Sequence, residues 1–198
     1  MDAAERLLVD VGYASITTRR LAEEAELNHG LVHYYFGSME NVLAATLDRF
    51  TERLVERQRA MYSAPGPFIE KWRTAMSLMD VDQESGYQKV WLELHALAWN
   101  DPALRERVAR VTAEWRAVIR SALEEAAREY GRDPRKVPIT ALTALVETFS
   151  LGTMVERHAG VTEGHRELLD EIERFLLSLE KGKGDARPAT GRKRDRRT

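Results

Sequence analysis

The sequence predicts an all-α chain, and three observations carry that prediction. Apolar residues recur at three- and four-residue spacing along most of the length, the repeat that gathers them on one face of a helix, and no stretch alternates as a strand does. Only six prolines and twelve glycines punctuate the 198 residues, and many of them fall at breaks between periodic stretches. Hydrophobic residues make up 43% of the chain, ample for a packed core, while cysteine is absent. The absence of cysteine excludes a disulfide framework and thiolate metal sites.

The elements follow in order. A first helix is expected from about Ala3 to Val11, with Leu7, Leu8 and Val11 inward. Thr17–Phe36, TTRRLAEEAELNHGLVHYYF, then holds two short helical patterns around a turn. Thr17 is a good N-cap, and Leu21, Ala22 and Ala25 share one face of the helix it starts. Glu26-Leu27-Asn28 breaks that run. Asn28 can cap the next helix, whose apolar positions are Leu31, Val32, Tyr35 and Phe36. Two such helices joined by a tight turn form a helix-turn-helix, the unit that lays its second helix in the major groove of DNA. A long amphipathic helix begins near Ser38, with Glu40-Asn41 completing an N-terminal capping region, and runs to about Tyr62. Ala64-Pro65-Gly66-Pro67 ends it. Further helices are expected at 68–80, 87–100, 102–130, 138–159 and 164–180, separated at Gly86, Asn100-Asp101-Pro102, Gly131-Arg132-Asp133-Pro134 and Gly160.

Residues 1–50 resemble the DNA-binding head of the TetR family of transcriptional regulators. The likeness rests on Gly12-Tyr13, Thr17, Leu21-Ala22, Ala25-Glu26-Leu27-Asn28, Gly30, Tyr35-Phe36, Ser38, Glu40 and Val42-Leu43, all in register. It implies a TetR-like fold of about nine helices: a three-helix helix-turn-helix head at 1–48 and a helical ligand-binding and dimerisation domain at 49–180. It also implies which residues meet DNA. Thr17, Thr18 and Arg19 would hold phosphates at the start of the second helix. Asn28, His29, Gly30, Leu31, His33 and Tyr34 would face the groove, while Leu27, Val32 and Phe36 would be core.

Three positions depart from the family pattern. Glu26 stands where the turn usually has Gly, a residue suited to a left-handed backbone. His33 replaces a phosphate-contacting Tyr. Met39 replaces a Lys that meets the DNA backbone at the start of the fourth helix. The head is also acidic: Arg6, Arg19, Arg20 and Arg49 face eight Asp and Glu within residues 1–50. Modest, salt-sensitive intrinsic affinity for DNA is therefore expected. The chain's overall net charge of −2 hides a basic C-terminal stretch. Residues 181–198 carry eight Lys and Arg against two Asp, with almost no apolar side chain, and read as a disordered tail. Such a tail either simply solubilises the chain or lends non-specific attraction to DNA.

The resemblance further implies a small-molecule effector in the second domain. On the stretch 87–100, Tyr87, Trp91, His95 and Trp99 recur every four residues and form one stripe. Trp72 and Met76 from the preceding helix, Trp115 from the following one and Phe149 from the eighth join them as candidate ligand contacts. Aromatic and Met side chains around one His can line a ligand cavity, or can simply fill core. On the last two helices, Leu142, Leu145 and Phe149 form one apolar face and Leu168, Ile172, Phe175 and Leu176 another. The resemblance implies that these faces pair with those of a second subunit. One helix-turn-helix contacts too few bases for specificity, and a two-fold homodimer doubles the readout.

Nothing in the sequence assembles catalysis: no Gly-rich phosphate loop, no HExxH-type histidine spacing and no thiol are present. His29 and His33 sit four apart, but their place on the recognition helix assigns them to DNA rather than metal; no metal and no cofactor are expected. No apolar run approaches 18 residues and no signal peptide opens the chain, so a cytoplasmic protein without a membrane partner is expected. The sequence thus reads as a regulator, most simply a repressor, that leaves its double-stranded DNA operator when a small apolar or aromatic molecule binds. The alternative reading keeps the fold but weakens the DNA role, leaving a dimer that acts mainly as a small-molecule or protein-binding module.

Overall fold

The computed structural model describes residues 1–185. Among the described residues nine α-helices follow one another: α1 (Asp2–Val11), α2 (Thr18–Glu24), α3 (His29–Phe36), α4 (Met39–Ser63), α5 (Phe68–Glu84), α6 (Tyr87–Ala98), α7 (Pro102–Glu129), α8 (Ile139–His158) and α9 (His165–Asp185). Short 3-10 turns at Tyr13–Ser15 and Pro134–Lys136 complete the described residues, which contain no strand. Neither 3-10 turn is visible in the apolar periodicity.

Helix starts are capped where the sequence places caps. Thr17 Oγ1 accepts from the Arg20 N–H, Asn28 Oδ1 from Gly30 and Ser38 Oγ from Asn41. Each satisfies a backbone donor that the first turn would otherwise leave bare. Pro102 opens α7 behind an Asp101 cap, which accepts from Ala103 and Leu104. Helix ends are less faithful to the sequence. α5 continues to Glu84, four residues past the expected end, because its break is Gly86 rather than a proline. α9 continues to Asp185, so the first five residues of the expected tail are helical; the remainder of that tail lies outside the described residues.

One core joins the head to the body. Leu8 of α1, Leu43 and Leu47 of α4, Val90 and Leu94 of α6 and Val111 of α7 are buried together. The boundary expected after residue 48 therefore falls inside the unbroken α4. α6 starts directly against α1. Gly86 adopts φ 75°, and a Cβ there would stand 2.4 Å from a Val9 methyl, so glycine alone allows this approach. The same surface of α6 carries Lys89, whose Nζ donates to the Val9 carbonyl at 2.7 Å, and Glu93, whose Oε2 accepts from the Tyr13 N–H at 2.9 Å. These groups satisfy backbone atoms at and just after the end of α1.

α7 is the central helix of the body and packs against α4, α6 and α8. It is tied to α4 by the Arg107–Asp48 ion pair and to α8 by Arg116–Glu147 at 2.6 Å. α9 lies against α5, where Arg73 pairs with Glu173. α8 is long and apolar enough, with a mean hydropathy of 1.2, to meet the length and composition of a membrane span. Glu147 and Glu156 divide it, so it holds no uninterrupted apolar run of that length.

Candidate functional site

The helix-turn-helix is built around one tight turn. After α2 the Glu26 N–H reaches the Glu23 carbonyl and the Leu27 N–H reaches Ala22 at 2.9 Å, the hydrogen-bond pair of a Schellman helix end. That turn needs a left-handed residue, and Glu26 supplies it at φ 54°, the one non-glycine residue with positive φ among those described. α3 then projects outward. Val32 is buried and Phe36 half-buried, and they seat the helix on the head core. His29, Gly30, Leu31, His33 and Tyr34 are exposed, with Tyr34 80% accessible and set edge-on to Tyr35.

One expectation for this unit needs correction. Leu27 is 51% exposed instead of core, because it is the residue that leaves the Schellman turn. Tyr35 is exposed too, since α3 is only eight residues long and its contacts with α2 and α4 cover one narrow side.

The cations of the head are mostly engaged. Arg6 pairs with Glu24 and Arg19 with Glu23, each at 2.9 Å, and Arg49 pairs with Asp2 and Glu5. Arg20 has no carboxylate partner among the described residues; its nearest acceptor contact is the Ser15 carbonyl at 3.5 Å. Sequence reading passed over Arg20 in favour of its neighbour Arg19, and the i,i+4 spacing of Arg19 and Glu23 was the available signal. Met39 is half-buried against the head core, so the departure from Lys is also a packing choice. Beside it the Glu40 carboxyl is held below its usual range by its own backbone N–H, the Ser38 hydroxyl and the Tyr13 hydroxyl.

In the body, α4, α5, α6, α7 and α8 enclose a cavity of about 160 Å³. Tyr87, Trp91 and His95 form its α6 wall. The first two rings stack at 6.3 Å, and the second meets the imidazole edge-on at 4.1 Å. His95 Nδ1 lies 2.9 Å from the Trp91 carbonyl, a contact that requires Nδ1 to carry the proton and leaves Nε2 as an acceptor in the neutral ring. Met76 and Trp115 line the cavity too. The other three candidates do not. Trp99 caps the end of α6 and is 81% exposed, because the helix stops two residues short of the expected 100. Trp72 packs on the separate cluster of Phe68 and Tyr130. Phe149 is half-buried on α8 and is not part of the cavity wall.

The cavity has polar members that sequence reading missed. Thr51 and Gln58 of α4 are buried in its wall, as is Val55 between them. Their i, i+4, i+7 spacing marks one face, but two of the three are polar and read as solvent-facing. Asp82 and Glu147 also touch the cavity, each already ion-paired: Asp82 with Arg57 at 2.6 Å and Glu147 with Arg116. Burial pushes the Tyr62 phenol up to about 12 and raises that of Tyr87 further. The wall is thus close to neutral.

The expected subunit face is partly exposed. Leu145 of α8 and Leu168 and Phe175 of α9 stand open to solvent, Phe175 at 62%. Leu142, Phe149 and Ile172 are half-buried. Leu176 turns inward instead and packs on the Phe68–Tyr130 cluster, so within the single chain it serves the core.

Known proteins share this fold. Residues 1–46 match the family described as bacterial regulatory proteins, tetR family, and residues 74–179 match the BetI-type transcriptional repressor C-terminal family. The HTH-type transcriptional regulator BetI of Burkholderia mallei (strain NCTC 10229) is 25% identical over 151 residues, covering 74% of this chain and 75% of its own. Among solved structures, the transcriptional regulator FadR from Bacillus subtilis in complex with stearoyl-CoA superposes with a TM-score of 0.70 at 16% identity, over 89% of this chain and 95% of its own. A regulator from Saccharomonospora viridis in complex with choline gives 0.69 at 18% identity, over 91% and 92%.

Proposed function

Since the chain belongs to the TetR family of DNA-binding transcriptional regulators, we propose that its exposed α3 and its cavity are the two ends of one switch. Two copies pair through the exposed faces of α8 and α9 and set their recognition helices on successive half-sites, about 34–36 Å apart. In that state the protein represses. A small, largely apolar or aromatic molecule in the cavity changes the spacing and releases the operator. The chain is a regulator and not an enzyme, and it acts where the DNA is, in the cytoplasm.

One observation carries this reading: α6 faces both ends. Tyr87, Trp91 and His95 line the cavity, while Gly86, Lys89, Val90, Glu93 and Leu94 meet the head. A shift of α6 that accommodates a ligand therefore moves the seat of α1. The ligand acts only through its differential affinity for the two arrangements. Cavity size limits the effector. A space of about 150 Å³ accepts a benzene-sized guest, so a long acyl chain would need the helices to part.

The second reading, a dimer with weakened DNA binding, draws support from the head. Three of its four arginines are spent on carboxylates, and Met39 makes no charged contact. A gel shift with the DNA upstream of its own gene separates the two. Specific binding that survives physiological salt supports the switch; binding no stronger than to unrelated DNA supports the second reading. Trp91→Ala should bind that DNA normally and lose the ligand response. A Trp91→Ala protein still released by ligand would contradict the cavity assignment.

A further inference from the structure

The cavity wall contains two buried polar atoms with no formed hydrogen bond. Thr51 Oγ1 and Gln58 Oε1 are both buried, on residues 2% and 4% exposed, and neither has a hydrogen-bond partner among the described residues. They lie seven residues apart, two turns along the same face of α4, and both border the cavity. The Tyr87 phenol interacts with Thr51, yet the geometry leaves Oγ1 without a formed bond. Natural interiors rarely tolerate such groups, because each gives up its hydration without compensation. Two at one cavity favour a guest with a polar group.

We infer that the effector is an uncharged, single-ring molecule bearing a hydroxyl group, whose apolar body lies against Trp91 and Trp115 and whose hydroxyl bonds Gln58. This inference rests on the effector-site reading given above and adds the chemistry of the ligand. Three features define that chemistry. The volume of about 160 Å³ admits one ring. The carboxylates of Asp82 and Glu147 are each paired with an arginine, at 2.6 Å, so the wall offers no uncompensated charge to a cation or an anion. A hydroxyl both donates and accepts, so it serves the Gln58 amide in either orientation.

Phenol and toluene have nearly the same shape and differ in the hydroxyl. Isothermal titration of the full chain with each, and with choline, reads the preference directly. The test variant is Gln58→Met with Thr51→Val, which keeps side-chain size and removes both polar atoms. Wild-type protein should bind phenol, and the ratio of phenol to toluene affinity should fall by roughly tenfold or more in the variant while toluene binding is kept. The ligand-free variant should melt no lower than wild type, because it loses two unpaired groups; a lower melting temperature would show them already paired and count against the inference. An unchanged ratio would overturn the hydroxyl anchor while leaving the cavity as the effector site. Choline binding with no phenol binding would overturn the neutral class. No binding of any of the three would overturn the effector-site reading itself.

Discussion

Glu26 carries a structural penalty at the turn of the recognition unit. It holds φ 54° in the turn between α2 and α3, where a residue with a Cβ costs about 1–2 kcal/mol. Glu26→Gly should therefore raise stability by about 1 kcal/mol, since part of the gain is lost to the entropy of the unfolded glycine; urea unfolding measures it, and a loss of stability would contradict the assigned strain. Arg20 is the cation of the head without a carboxylate partner among the described residues. Arg20→Ala should weaken binding on all DNA sequences and lower the salt slope by about one, the mark of a phosphate contact. His33→Ala and Tyr34→Ala should weaken operator binding with little change in stability, because both side chains are exposed; normal affinity in both would remove α3 from the groove. At this scale the caps Thr17, Asn28 and Ser38 were legible, because a cap depends on neighbours within three residues. Arg20, Thr51 and Gln58 were not, because a partner, or the lack of one, depends on residues far away in the chain.

Among the elements, α6 decides whether the two sites can communicate. Its polar contacts with the head are Lys89 to the Val9 carbonyl and Glu93 to the Tyr13 N–H. Lys89→Met should leave cavity binding intact and reduce the change in DNA affinity that a ligand produces, measured as the ratio of DNA affinities with and without ligand; an unchanged ratio would place the coupling elsewhere. Gly86→Ala should cost more. Its Cβ would meet the Val9 side chain at 2.4–2.9 Å in a backbone of positive φ, and overpacking of this kind costs about 1–3 kcal/mol. The helices themselves were legible from apolar spacing, and the breaks from Pro and Gly. Their ends were not. The spacing ran on through Trp99 and joined it to the cavity stripe, whereas α6 ends at Ala98 and exposes the indole.

At the scale of the molecule, the proposed switch requires two chains and one continuous core. Exposed Leu145, Leu168 and Phe175 are poor surface for a monomer. Phe175→Glu would place a charge in the proposed interface, which is expensive if left unpaired, and light scattering should then find monomer or aggregate with specific DNA binding lost. A variant that stays dimeric would point to another face. Leu176 is a weaker probe, because it serves the Phe68–Tyr130 cluster within one chain. The all-α architecture and the recognition unit were legible because each is a local pattern. The cavity was half legible: Met76, Tyr87, Trp91, His95 and Trp115 announced themselves by size, while its polar α4 wall comes from tertiary packing. The central claim is that ligand and DNA are linked through α6, and fluorescence anisotropy tests it most directly. A labelled fragment from upstream of the gene is titrated with the protein, with and without saturating phenol. The predicted result is a fall in operator affinity of about 5- to 150-fold, the usual range of allosteric coupling, with an equal fall in phenol affinity when operator is bound. Phenol that binds the cavity and leaves operator affinity unchanged would contradict the account.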